Sequence, residues 1–193
     1  MSRGAIVLNA VAYQLVWFAT VFGAGHGMWW TGPLAALAFA ALHLGVVVRD
    51  RDERRRDLAL VVAAVACGLV IDGVLSGSGA VVFAASSPAL PPGGAPLWML
   101  TLWAAFALTL RHSLRAVTAR QVLAALLGAI GGPMAYLGAT RASGAVSFPE
   151  PSGTTLVMLG GGWCLALGLL AMLASRPTDA TPAPRSPLAG DAA

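Results

Sequence analysis

The chain has 193 residues, 58% of them hydrophobic and only 10% charged, with a mean hydropathy of +0.77 and a formal net charge of +4. A water-soluble domain carries about 25% charged residues, so this chain lacks the polar surface of an aqueous fold. An ordinary soluble enzyme, a disordered chain and a nucleic-acid binder are excluded together, leaving an all-α integral membrane protein.

Charge-free stretches place the helices. No Asp, Glu, Lys or Arg occurs from Gly4 to Val48, and between Leu58 and Leu110 the only charge is Asp72. Two further apolar runs end at Thr140 and Ser175. A helix spans the hydrocarbon layer with about 20 apolar residues, so the first two blocks each hold two spans and the last two hold one each. The expected polytopic bundle has about six transmembrane helices, at 5–24, 29–48, 58–76, 97–113, 121–140 and 154–174. The runs are continuous rather than alternating, which disfavours a β-barrel. The first run is long for a signal-peptide core and carries Asn9 and Gln14, so it reads as a span rather than a cleaved leader.

Between spans three and four, Ser76-Gly77-Ser78-Gly79 breaks the helix and Ser86 to Pro96 forms a Pro/Gly-rich outer loop. Ala80 to Ala85 is too short to cross and reads as a half-helix or a lip at the interface. Residues 1–175 constitute the membrane domain, and 176–193, rich in Pro, Ala, Thr and Ser, read as a disordered cytoplasmic tail.

All twelve basic residues are arginine. Six alternating spans collect every one of them except Arg141 on one side, which places both termini in the cytoplasm of a cell inner membrane. Asp50, Asp52, Glu53 and Asp57 interleave with Arg49, Arg51 and Arg54 to Arg56 and largely neutralise that cluster. The cluster reads as a topology signal with attraction for anionic lipid headgroups, and no nucleic-acid partner is expected.

Polar side chains inside hydrocarbon are costly and mark the candidate site. At 1.5 Å per residue, Asn9 and His43 lie about 7 Å in from the cytoplasmic ends of their helices. Thr109, Ser113 and His112 share that inner layer, whereas Asp72 lies about 21 Å across, level with Tyr136. His43 and Asp72 therefore differ by about 13 Å in height, too far for a dyad. Asn9, Tyr13, Trp17 and Thr20 share an arc of helix one that faces the interior, with Gln14 to its side. The amides also have a plain structural use, bonding neighbouring helices.

Gly128, Gly132 and Pro133 on span five, and Gly160, Cys164 and Gly168 on span six, form small-residue ridges for close helix packing. Cys67 and Cys164 stand alone, so no disulfide or zinc site is expected, and His43 with His112 is a poor haem pair. No serine-nucleophile elbow or phosphate-cradling loop is present, so no metal, cofactor or catalytic motif is assigned and a stand-alone enzyme is not expected.

Several patterns recur together: Asn9, Tyr13-Gln14, Trp17-Phe18 and Gly23-Ala24; Ala41-Leu42-His43; Asp72, Gly79 and Phe83; Pro96, Trp98, Leu102-Trp103, Phe106-Ala107, Thr109-Leu110 and Ser113-Leu114; and Leu127-Gly128-Ala129 through Gly131-Gly132-Pro133, Ala135-Tyr136, Arg141 and Gly144-Ala145-Val146. In this combination the chain resembles a family of small bacterial inner-membrane proteins catalogued as domain of unknown function 2878. The resemblance covers nearly all of the chain except the tail. It implies a compact multi-helix membrane protein, often encoded beside enzymes resembling cyclopropane-fatty-acyl synthases. Relatives often carry an amide where this chain has Arg111.

Three functions remain open. The first is an accessory in membrane-lipid (fatty-acyl) modification or envelope stress, with membrane lipid and a lipid-modifying enzyme or other membrane subunits as partners. The second is a small proton- or cation-coupled transporter with Asp72 as its site. The third is a non-catalytic assembly subunit.

Overall fold

The computed structural model describes residues 3–48, 50–149 and 153–176. Its helices are α1 (Arg3–Gly25), α2 (Thr31–Leu42), α3 (Arg51–Gly77), α4 (Leu97–Leu110), α5 (Arg115–Thr118), α6 (Gln121–Ser143) and α7 (Gly153–Ala174). Among the described residues α1, α3, α6 and α7 are long and apolar enough to cross a membrane. The expected second and fourth spans are helical but shorter.

The outer surface is inverted relative to a soluble protein. Leu37, Val62, Val70, Val122, Val157 and Leu165 point outward, the last of them 77% exposed. Exposed apolar area on this scale marks a surface meant for lipid or another protein.

Helix α4 is the axis of the bundle, packed by α1, α2, α3 and α7. Buried residues occur all round it, including Trp98, Leu102, Trp103, Ala105 and Leu108. A helix hydrophobic on every face belongs inside. It ends at Leu110 rather than continuing to 113: Arg111 is its C-cap, and the Leu114 N–H returns to the Thr109 carbonyl at 2.9 Å. His112 and Ser113 therefore sit in a turn, which frees their side chains from the helical direction.

Helix α3 starts earlier than the apolar window suggests. The Asp50 carboxylate accepts from the Asp52 and Glu53 N–H groups at 2.9 and 3.0 Å, capping the helix before the arginine-rich segment. Those N–H groups, Glu53 first, hold the Asp50 carboxyl below its usual range. Residues 51–57, expected as a connection, are therefore the first two turns of α3. Its buried face, Asp57, Leu60, Ala64, Gly68, Asp72 and Leu75, is one continuous helical stripe.

Helix α2 runs into a π-helical turn, His43–Val47. Arg54 closes this end, donating from Nε to the Val48 carbonyl at 3.1 Å and from Nη2 to the Leu44 carbonyl at 2.8 Å. One of the supposed topology arginines is thus also a helix cap.

The segment 80–85 is not a half-helix. Val82–Phe83 (β1) pairs antiparallel with Val146–Ser147 (β4), and Ala89–Leu90 (β2) pairs with Ala95–Pro96 (β3). Trp98 Nε1 donates to the Ala85 carbonyl at 2.9 Å, pinning this lip onto α4. The tail from 177 onward lies outside the described residues.

The expected glycine ridges meet. At Gly160 a Cβ would stand 2.9 Å from the Ala129 carbonyl of α6, and at Gly168 it would stand 3.4 Å from Ala125 Cβ. Gly128 and Gly132 lie directly against Trp163 of α7, and Pro133 is accommodated inside a continuous α6.

Candidate functional site

Polar groups gather in two places along α3. Asp57 and Asp72 are separated by fifteen positions, about 22 Å of helix rise.

The inner cluster draws on four segments of the chain. The rings of His43, from the π turn, and His112, from the turn after α4, both direct Nε2 at Asp57 Oδ2, at 3.1 and 2.9 Å. Asn9 on α1 donates from Nδ2 to His43 Nδ1 at 3.1 Å and to the Leu108 carbonyl at 3.2 Å, while Ser113 Oγ donates to Asn9 Oδ1 at 2.7 Å. A carbonyl can only accept, so the amide nitrogen of Asn9 faces Leu108 and therefore also His43. That leaves Nδ1 of His43 as an acceptor and places its proton on Nε2, pointing at Asp57. Arg111 approaches the other carboxylate oxygen, Nη1 to Oδ1 3.6 Å. Asn9, His43 and Asp57 are at most 1% exposed.

Buried charge is tolerated when paired and hydrogen-bonded: the two imidazoles donate to Oδ2, while Oδ1 has no hydrogen bond and only the charge of Arg111 at 3.6 Å beside it. A π turn at His43 fits the site as well, since such turns frequently occur where a side chain is diverted for function. The two imidazole rings stand edge to face with centroids 4.5 Å apart, which leaves no space for a haem between them.

The cluster opens toward one end of the bundle. Arg56, Arg111, Arg115 and Arg176, with Glu53, His112 and Thr118, border a basin of about 420 Å³. A second opening of about 420 Å³ is bordered by Ile6, Ser113 and Ala116, again with His112 and Arg115. His112 and Arg115 thus separate two solvent-facing recesses.

The outer cluster is closed. Asp72 Oδ2 accepts from Trp103 Nε1 at 2.7 Å, and Oδ1 accepts from the Tyr136 hydroxyl. Trp103 stacks on Trp163 with centroids 4.2 Å apart and planes at 19°. The adjoining cavity, bordered by Tyr13, Trp17, Trp103, Phe106, Tyr136 and Trp163, measures about 50 Å³, room for water. Substitution separates the roles of this carboxylate. Asp72→Asn can accept from Trp103 and donate to the Tyr136 oxygen, so stability is expected to stay within about 1 kcal/mol of wild type, whereas Asp72→Leu strands two donors at a cost of about 2–4 kcal/mol. Thermal unfolding of the purified variants reads the difference.

Of the site residues expected from the sequence, Asn9, His43 and Ser113 come together in the inner cluster, and Asp72 and Tyr136 in the outer one. Thr109 is buried nearby but bonds back to the Phe106 carbonyl at 2.6 Å, and Gln14 lies on the exposed face of α1. The central residue, Asp57, counts in the sequence only among the acidic residues that neutralise their arginine neighbours. A detectable signal was the buried stripe of α3, which runs back from Asp72 in steps of three and four and lands on Asp57. Arg111 and His112 fall inside the expected fourth span, 97–113; only the early end of α4 turns them toward α3. The absence of a metal-ligand motif followed from sequence spacing, yet two imidazoles and a carboxylate converge from distant segments.

No curated protein and no solved structure matches the chain. The profile of a family described as "Protein of unknown function (DUF2878)" matches residues 6–169, nearly the whole helical core including both clusters. By that match the chain belongs to the DUF2878 family of proteins of unknown function.

Proposed function

We propose that the protein is a six-span inner-membrane protein with both termini in the cytoplasm that holds the phosphate of an anionic lipid headgroup in its arginine basin, as an accessory to fatty-acyl or other lipid modification. The observation that carries this reading is the convergence of Arg56, Arg111, Arg115 and Arg176 around one opening beside His112. Arginine suits a phosphate because its planar fork offers two parallel donors. The arginine excess of the connecting segments assigns this end to the cytoplasm, where anionic lipids are enriched. Six crossings are favoured because α4, although short, is enclosed by α1, α2, α3 and α7 and so shares their slab. With the π turn, α2 is long enough at 17 residues to approach the span length.

Native mass spectrometry of detergent-solubilised protein with phosphatidylglycerol and phosphatidylcholine tests the headgroup claim. We expect preferential retention of phosphatidylglycerol, weakened about tenfold by the double substitution Arg56→Ala/Arg115→Ala and reduced by added salt. Equal retention of both lipids, or an unaltered double variant, removes the basis of the reading. For the lipid role itself, membrane fatty-acid profiles of a deletion strain and its parent must differ. Reporter fusions after Arg55 and Arg120 should read cytoplasmic, and one near Pro92 periplasmic; the opposite result at Pro92 overturns the orientation.

The transporter reading makes a different demand: Asp72→Asn must abolish cation-coupled flux while the protein stays folded. It is less well supported, because both carboxylate oxygens of Asp72 already accept hydrogen bonds in a closed setting.

A further inference from the structure

We propose that His43, Asp57 and His112 form a binding site for one divalent transition-metal ion at the inner end of the bundle. Each residue offers one ligand atom, these atoms all lie within 4.8 Å of one another, and all three residues are buried. Two imidazoles and one carboxylate are the donor set of catalytic zinc and non-haem iron(II) centres, which keep further positions open.

The two carboxylate–imidazole distances suit an ion. Ligands about 2.1 Å from a metal at right angles lie about 3.0 Å apart. The separations of Oδ2 from the two Nε2 atoms are 3.1 and 2.9 Å. An ion binding there takes the place of the Nε2 proton on each imidazole; for the ring to remain a neutral ligand that proton moves, by way of solvent, to Nδ1 of the same ring. Arg111 beside Oδ1 leaves Oδ2 as the ligating oxygen. His112 borders both recesses, so water and a small anion can reach the remaining positions from the arginine basin.

Asn9 sets the condition for loading. In the arrangement described above it donates to His43 Nδ1 and keeps the proton on Nε2. Metal at Nε2 requires the proton on Nδ1, so the Asn9 amide must turn to present its oxygen. Asn9 is therefore a positioning residue, and Asn9→Asp, whose carboxylate accepts the Nδ1 proton without turning, is expected to tighten the ion about tenfold.

This site stands independently of the lipid reading, because the ion can bind in detergent with no phospholipid. The test uses full-length protein, stripped with chelator, freed of any histidine tag and equilibrated with micromolar Zn²⁺ or Co²⁺. Elemental analysis is expected to give about one ion per chain. Bound Co²⁺ should show visible absorption from nitrogen and oxygen ligation, and Asp57→Asn and His112→Ala should each lose at least tenfold in affinity. Wild-type protein that retains no ion above blank overturns the proposal whatever the variants do. So does full retention by both ligand variants. Unchanged or weaker binding in Asn9→Asp overturns the role given to Asn9.

Discussion

Asp57→Ala is expected to destabilise the protein by about 2–5 kcal/mol, the cost of leaving two buried donors without an acceptor. The carboxylate is the common acceptor for His43 and His112 and the counter-charge of Arg111. Without it, two Nε2–H groups lose their acceptor and a guanidinium loses its partner, while three elements lose the group that joins them. Asp57→Asn retains one acceptor oxygen and should cost less, about 1–3 kcal/mol. Unfolding in a mixed denaturant and detergent series measures both. A change for Asp57→Ala within about 0.5 kcal/mol, the range typical of surface positions, would show that the cluster does not hold the bundle together.

The second large effect is expected at Gly132. The stacked indoles of Trp103 and Trp163 are held between glycines, with Gly68 of α3 against Trp103 and Gly132 of α6 against Trp163. A Cβ at either glycine meets the ring itself rather than the end of a flexible chain. Gly132→Leu must therefore push Trp163 away, and because Trp103 donates to Asp72, the strain reaches the outer cluster. Overpacking of this kind costs about 1–3 kcal/mol, and the lost contact between α6 and α7 places the expected value near the upper end. The adjacent Gly131 supplies the control: a Cβ there meets nothing within 4 Å. Gly131→Ala is expected to be neutral or to stabilise by up to about 1 kcal/mol through helix propensity. Near-ultraviolet circular dichroism, sensitive to the indole pair, should change for Gly132→Leu and not for Gly131→Ala. Equal behaviour of the two variants would contradict the packing described here.

Much of the architecture is legible in the one-dimensional pattern because hydrocarbon imposes a simple rule. A backbone in lipid must satisfy its own hydrogen bonds, so a long charge-free run becomes a helix whatever its neighbours do. The helical segments, the glycine ridges and the division of polar residues into an inner and an outer layer all follow from that rule and from the rise per residue. Asn9, Ser113, His43, Asp72 and Tyr136 were identifiable as candidates because amides, hydroxyls, imidazoles and carboxylates are conspicuous against an apolar background.

The same logic fails where charge is plentiful. Among Arg49 to Asp57 a single buried carboxylate does not stand out by composition, and Asp57 differs from Asp52 and Glu53 in the face of α3 that it occupies. Its identity as the hub depends on where Asp50 starts the helix. For His112 it depends on where α4 stops. Helix ends are decided by a few local hydrogen bonds of small individual energy, to which a hydropathy window is blind.

By itself, then, the sequence determined the apolar, helical class of this protein and the division of its polar residues into two layers, because both depend on composition and helical periodicity. The layers stand about 22 Å apart along α3 rather than about 13 Å, because α3 begins at Arg51 rather than 58. Only the tertiary structure decided which polar groups meet: His43, Asp57 and His112 lie 14 and 55 positions apart along the chain, yet two of their ring nitrogens share one carboxylate oxygen. Partners that distant are chosen by helix packing, which rests on side-chain shape at glycine, tryptophan and proline positions spread across the whole bundle.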